Sequence, residues 1–99
     1  MAVTAAGTVQ GDAATLTRGA LNYATGDGTV GVILPTGIAG ARVEVYNLHA
    51  TSGLKVYPHS GGDINDGTQN AAVTIEGKTL ALFHCVDGTT WAAIYTANS

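Results

Sequence analysis

The chain has 99 residues, 11% of them charged, and a formal net charge of −3 at pH 7. A domain of this size has room for a single core, and 4 Lys and Arg against 7 Asp and Glu do not form the basic surface that nucleic-acid binding needs. No run approaches the roughly 18 consecutive apolar residues of a membrane-spanning helix. We therefore expect neither a nucleic acid nor a membrane as a partner.

The amino-acid usage favours strands over helices throughout the chain. Ala, Gly and Thr together make up 44 of the 99 residues, and the alanine-rich stretches are flanked by Thr, Val or Ile. β-branched residues favour strands, and glycine interrupts helices. The composition therefore predicts an all-β protein without a long helix.

Residues 1–14 are uncharged up to Asp12 and are predicted to form an extended N-terminal arm. A single β domain is predicted over residues 15–99. The sequence leaves two possibilities open for the arm. It either lies along a partner protein by strand addition or is disordered, as first residues often are.

A glycine-rich segment at residues 26–31, GDGTVG, matches the GxGxxG pattern of dinucleotide-binding proteins. That pattern binds a pyrophosphate only when a helix follows the glycines. Here a short apolar run closed by Pro35 follows instead. We therefore interpret the segment as a hairpin loop.

Short apolar or alternating segments recur along the remainder of the chain, separated by turn residues. They predict strands at residues 29–34, 41–48, 53–57, 71–75, 79–86 and 89–95. The last three are predicted to form a C-terminal meander. The pattern is typical of a single compact antiparallel β-sandwich, jelly-roll-like, or of a small barrel, and the sequence leaves both open.

The final hairpin is predicted in register from its Asp-Gly turn, because Asp-Gly between apolar runs favours a two-residue loop. That loop pairs His84 with Trp91, Leu82 with Ala93 and Leu80 with Tyr95. Both faces of the resulting hairpin are largely apolar, whereas one face of an antiparallel sheet is normally polar and in water. One face is therefore expected to pack on a second sheet or on another chain.

Residues with catalytic or metal-binding chemistry are few and poorly spaced. His84 and Cys85 are adjacent on a predicted strand and point to opposite faces, so they do not bind one metal ion together. Ser60 follows His59 in a glycine-rich loop, and neighbours in such a loop are rarely aligned for nucleophilic catalysis. We expect no metal, no cofactor and no enzyme activity; a small hydrolase using Ser60 or Cys85 is the alternative.

An ordered series of short segments resembles a small β-domain that recurs in tailed-bacteriophage virion proteins. The segments are GVILP at residues 31–35, GARVEVYN at 40–47, LKVYP at 54–58, GDIN at 62–65 and DGTTW at 87–91. The resemblance covers roughly residues 8–95. It implies a structural virion protein without enzyme chemistry.

Within that family, a chain of this length is most similar to a head decoration, or capsid cement, protein. The resemblance implies a homotrimer that binds the major capsid protein on the outer surface of an icosahedral phage head, at three-fold positions, and stabilises the contacts between capsomers. The alternative is a trimeric tail-tip or fibre module that binds a host-surface glycan, with Tyr46, Tyr57 and Trp91 as exposed stacking platforms.

Candidate interface residues follow from the apolar hairpin face and from the N-terminal arm. They are Val3, Val9, Leu80, Leu82, His84, Trp91 and Tyr95.

Overall fold

Short strands make up the fold in the computed structural model, which describes residues 2–7, 9–19, 21–65 and 67–95, and of Tyr95 only the backbone. In chain order the strands are β1 Ala14–Thr15, β2 Leu21–Ala24, β3 Gly31–Ile33, β4 Arg42–Asn47, β5 Leu54–Tyr57, β6 Asp63–Ile64, β7 Val73–Ile75, β8 Leu80–Cys85 and β9 Thr90–Tyr95. The helical content of the described residues is one 3₁₀ turn, Gln10–Asp12. The predicted all-β class is confirmed. Among the same residues, no helix is long and apolar enough to cross a membrane.

The strands form a five-stranded sheet in the order β2-β4-β8-β9-β6 and a four-stranded sheet in the order β1-β3-β5-β7. From β1 to β8 the chain passes to the other sheet at every connection. Neighbours within a sheet are therefore often two strands apart in the chain and run in the same direction, as in the parallel pairs β1/β3, β3/β5 and β2/β4.

The predictions of a purely antiparallel arrangement and of a small barrel are wrong. Both sheets mix parallel and antiparallel pairs, and each ends in two edge strands instead of closing on itself. Parallel neighbours need a crossover connection. Here a strand of the opposite sheet provides that connection, which is why the fold has parallel pairs without helices.

The prediction of a C-terminal meander is also wrong, because the first of its three strands, β7, lies in the other sheet. β7 pairs with β5 in the four-stranded sheet, with Leu54 opposite Ile75 and Val56 opposite Val73, so only β8 and β9 form a hairpin. The turn after β7 moves the chain to the other sheet. In that turn Lys78 has a positive φ of 58°, and its backbone N–H donates to the carbonyl of Asn47 at 2.9 Å.

A single hydrophobic core lies between the two sheets and receives alternate residues of the strands. Its buried members are Leu16, Ala24, Val32, Leu34, Val43, Val45, Leu54, Val56, Ile64, Ile75, Ala81, Phe83, Cys85 and Trp91. The pattern in β4, where Val43 and Val45 are buried and Arg42 is exposed, confirms the alternation predicted for that strand. Burial of this one shared core holds the two sheets together.

Two fully buried asparagines, Asn22 and Asn47, tie loops to the ends of the five-stranded sheet. The Asn22 side chain accepts from the N–H of Thr17 at 2.9 Å and donates to its carbonyl at 3.0 Å. The Asn47 amide donates to the carbonyls of Ser52 and Ile75, and its oxygen accepts the backbone N–H of Gly26. Each amide substitutes for missing strand partners, since buried backbone groups need hydrogen bonds.

The described residues of the predicted arm lie against the body. The backbone N–H of Val3 donates to the carbonyl of Tyr23 at 3.0 Å, at the edge of β2, and Ala6 exchanges backbone hydrogen bonds with Gly31 at the start of β3. Residues 2–7 therefore reach from one sheet to the other. The division into an arm over 1–14 and a domain over 15–99 stays a prediction.

Candidate interaction surface

The outer face of the five-stranded sheet, which we call the open face, carries the alternate residues that do not enter the core. In register across the sheet they form four rows. The rows are Tyr23, Tyr46 and Leu80; Leu21, Glu44, Leu82 and Ile94; Arg42, His84 and Ala92; and Thr90 and Asp63. Most of these side chains are apolar or aromatic, and Ile94 is 68% exposed, Leu21 44% and Tyr23 39%.

The β8–β9 hairpin is shifted by one residue from the predicted register. Cys85 lies opposite Trp91, His84 opposite Ala92 and Leu82 opposite Ile94. Because successive side chains in a strand point to opposite faces, a shift of one residue exchanges the two faces of β9. Trp91 therefore enters the core, and Ile94 takes its place on the open face.

The cause of the shift is a loop one residue longer than the Asp-Gly pair predicts. The backbone N–H of Val86 donates to the carbonyl of Thr90, which leaves residues 87–89 in the loop, with Gly88 at φ 90°. The Asp87 carboxylate accepts the N–H of Thr90 at 2.8 Å and of Thr89 at 2.9 Å. The same two hydrogen bonds, that from Thr90 above all, lower the pKa of Asp87.

The predicted interface residues do not all reach the surface. Trp91 is a correction: its side chain is fully buried, and its indole N–H is bonded within the chain, so it offers no contact to a partner. Leu80 and Leu82 are half-buried and His84 is exposed, all three on the open face.

Of the remaining three predicted residues, two lie apart from the open face, and the side chain of the third lies outside the described residues. Val3 is half-buried against the core, and Val9 is 54% exposed beside the 3₁₀ turn. The backbone of Tyr95 pairs with Ala81, and its side chain lies outside the described residues. Leu21, Tyr23 and Ile94 also lie on the open face and were not predicted; the alternation of residues 21–24 was the available signal for the first two.

The outer face of the four-stranded sheet is covered in part by the chain itself. The Gln10 side chain donates to the carbonyl of Pro58 at 2.9 Å and to Oδ1 of Asn70 at 3.1 Å, which holds the 3₁₀ turn beside β5. Tyr57, whose ring lies against Gly31, is only 8% exposed, whereas Thr15 and Thr74 at the edges of this face are exposed. The two outer faces therefore differ: the N-terminal segment covers part of one, and the described residues leave the other open.

The aromatic platforms expected for a glycan-binding module are not exposed. Trp91 and Tyr57 are buried, and Tyr46 is half-buried on the open face. Stacking of a sugar needs an accessible ring face, so two of the three predicted platforms are not available for it.

The segment at residues 26–31 connects β2 to β3, and no helix follows it. The Asp27 carboxylate accepts the hydroxyl of Thr29 at 2.7 Å and the backbone N–H groups of Thr29 and Val30. These bonds, that from the Thr29 hydroxyl above all, lower the pKa of Asp27 from 3.8 to about 2. The segment is a loop, as predicted, and is closed by its own carboxylate, but it is not a hairpin loop, because β2 and β3 lie in different sheets.

Possible metal ligands are dispersed. Among the described residues, no group of three or more His, Cys, Asp or Glu side chains lies close enough to hold a metal ion. His84 is exposed while its neighbour Cys85 is buried, so the two point to opposite faces as predicted. His49 is occupied locally, where its Nδ1 accepts the backbone N–H groups of Thr51 and Ser52.

No protein-family model matches this chain, and no curated protein shows significant sequence similarity to it. The resemblance to phage virion domains therefore stays a hypothesis. The structural feature that supports it is the open face.

Proposed function

We propose that the protein is a structural component of a bacteriophage virion, a homotrimeric decoration or cement protein that binds the outside of an icosahedral capsid at three-fold positions. The major capsid protein is the partner, and the bound protein stabilises the contacts between capsomers. The observation that carries the proposal is the open face, a largely apolar surface of a five-stranded sheet that the described residues leave uncovered.

The contrast between the two outer faces supports self-association. Antiparallel and mixed sheets that face water carry mostly polar side chains on that side, and contiguous exposed apolar patches typically mark interaction sites. The open face has Leu21, Tyr23 and Ile94 exposed, whereas the chain's own N-terminal segment covers part of the other face. A low charge content, 11% of the residues, suits surfaces that are buried in an assembly, because charged residues are depleted from interface cores.

A cement protein also needs a surface for the capsid. Ile38, 53% exposed, and Val86, 60% exposed, lie on two loops at one end of the sheets. The loops touch: the N–H of Gly40 donates to the carbonyl of Cys85 at 2.8 Å, and a side chain at Gly37 would collide with the carbonyl of Gly88. In a trimer built on the open face, each copy presents this loop pair at the same end.

Mass measurement combined with co-sedimentation on mature phage capsids tests the proposal. We expect a trimer that pellets with capsids. Val86→Asp should abolish capsid binding and keep the trimer, whereas Ile94→Asp should abolish the trimer. A folded monomer that does not pellet with capsids at any concentration tested would contradict the proposed function.

A further inference from the structure

Two charged residues of opposite sign, Arg42 and Glu44, stand on the open face two positions apart in β4. Neither side chain has an ion-pair partner within the described residues. The titratable group packed beside them is His84, which lies opposite Arg42 on β8. The open face therefore carries a fixed cation and a carboxylate that the described residues leave unpaired; Asp63, the second carboxylate of the face, accepts the hydroxyl of Thr90 at 2.9 Å.

Glu44 lies in the most apolar row of the face. Leu21 is its register partner on β2 and Leu82 its partner on β8, and Ile94 follows on β9. Covering this row with a purely apolar surface would strip water from the carboxylate without replacing it, which is unfavourable unless a cation arrives with the partner. An occupant that brings an arginine satisfies this requirement.

We propose that the occupant of the open face is a second copy of this chain, with Arg42 of one copy paired to Glu44 of the next. The inference deepens the proposed function and rests on its homotrimer. A copy brings the same apolar rows together with the missing charge of each sign, so the face is complementary to itself. Two residues along a strand span about 6.8 Å, and the flexible arginine and glutamate side chains bridge this offset when the strands of neighbouring copies run alongside each other.

The face is smaller than one standard protein interface. Its five strands have 4, 6, 6, 6 and 2 residues, and at about 3.4 Å per residue and about 4.8 Å between strands they present roughly 400 Å². A stable protein interface buries about 800 Å² on each partner. Surface beside the face therefore has to contribute to the contact between copies.

Exchanging the charges at Arg42 and Glu44 tests the proposed pairing. The mass of the oligomer is measured by analytical ultracentrifugation at several concentrations. Arg42→Glu and Glu44→Arg each place like charges against one another, and we expect at least a tenfold weaker association from either. The double variant R42E/E44R restores complementarity and should regain the wild-type association.

The matched control is the double variant E76R/K78E, which makes the same exchange at the same spacing in the exposed turn before β8. It should leave association unchanged. Circular dichroism melting checks that each variant is folded. If the double variant R42E/E44R associates no better than the single variants, or if the single variants associate like the wild type, the proposed pairing is wrong.

The test separates this inference from the proposed function. Charge-dependent association without capsid binding would support the pairing and overturn the decoration role. Capsid binding by a protein that stays monomeric would overturn the pairing and keep a capsid partner.

Discussion

The indole Nε1 of Trp91 donates a hydrogen bond to Nδ1 of His59 at 2.9 Å, and the two rings meet edge to face with their centroids 6.2 Å apart. The tryptophan is fully buried, so this bond gives its polar atom a partner inside the core. Because His59 accepts at Nδ1, the neutral ring carries its proton on Nε2. The pair fixes the loop after β5 to the start of β9.

Replacing Trp91 should destabilise the fold strongly. Trp91→Ala should lower the free energy of unfolding by about 3–5 kcal/mol, the usual cost of removing a buried aromatic ring. Trp91→Phe should cost less, about 1–3 kcal/mol, mainly because it leaves the acceptor on His59 without its donor. Urea unfolding followed by circular dichroism measures both, and Thr51→Ala at an exposed loop position is the control, with a change within about 0.5 kcal/mol. Equal, small effects at Trp91 and Thr51 would contradict the core position of the tryptophan.

The position of the His59 ring depends on the absence of a side chain at Gly62. A Cβ at Gly62 would lie 2.7 Å from Cε1 of His59 and 2.8 Å from the backbone carbonyl of Thr89. Gly62→Ala should therefore cost about 1–3 kcal/mol, as overpacking does. Gly11→Ala is the matched control, because nothing lies within 4 Å of a Cβ there. Thermal melts of the two variants provide the comparison; equal melting temperatures would show that the imidazole is not held against Gly62.

Asn47 should be indispensable to the loops around it. Its side chain bonds four backbone groups, two carbonyls and the N–H groups of Gly26 and His49, at 2.8 to 3.1 Å. Asn47→Ala should lower stability by about 3 kcal/mol or more, since each buried polar group left without a partner costs about 1–3 kcal/mol. Gln69→Ala, at an exposed loop position, should change stability by less than about 0.5 kcal/mol. Chemical denaturation of both variants checks the difference, and a small effect at Asn47 would contradict its bracing role.

Acid should destabilise the protein through its two Asp-Gly loops. Hydrogen bonds lower the pKa of Asp27 from 3.8 to about 2 in the folded chain, and they lower the pKa of Asp87 as well. A carboxyl group whose pKa is lower when folded contributes stability above its unfolded pKa and loses that contribution as pH falls through the folded value. The melting temperature should therefore fall as the pH is lowered from about 4 to about 2.

The double variant D27N/D87N keeps the accepting Oδ1 of each side chain but removes the titration. Its melting temperature should depend less on pH in this range than that of the wild type. A wild-type melting temperature that stays constant down to about pH 2 would contradict the lowered pKa values.

The longer strands could be predicted from the sequence because their alternation or apolar runs are local signals. β4 lies within residues 41–48, β5 within 53–57 and β8 within 79–86, as predicted. β1 and β6 were missed because a strand of two residues shows no periodicity, and the short alternation of β2 was not interpreted as a strand. These three strands form because they pair with strands that are distant in the chain.

The composition of the open face could not be predicted, although its existence could. The apolar faces of the last hairpin indicated an additional contact surface. Which β9 residues lie there depends on one loop residue, and the hydrogen bonds of the Asp87 carboxylate to Thr89 and Thr90 decide that length. Local sequence favours a two-residue Asp-Gly turn, so the register was predicted one position off and Trp91 was assigned to the wrong face.

The mass of the purified protein in solution, measured by light scattering for the wild type and for Ile94→Asp, tests the central claim most directly. The open face predicts a wild-type mass of about 30 kDa, three chains of 9.9 kDa, and a folded variant at the mass of a single chain. A wild-type protein that remains at 9.9 kDa at every concentration, or an Ile94→Asp variant that keeps the trimer mass, would contradict it.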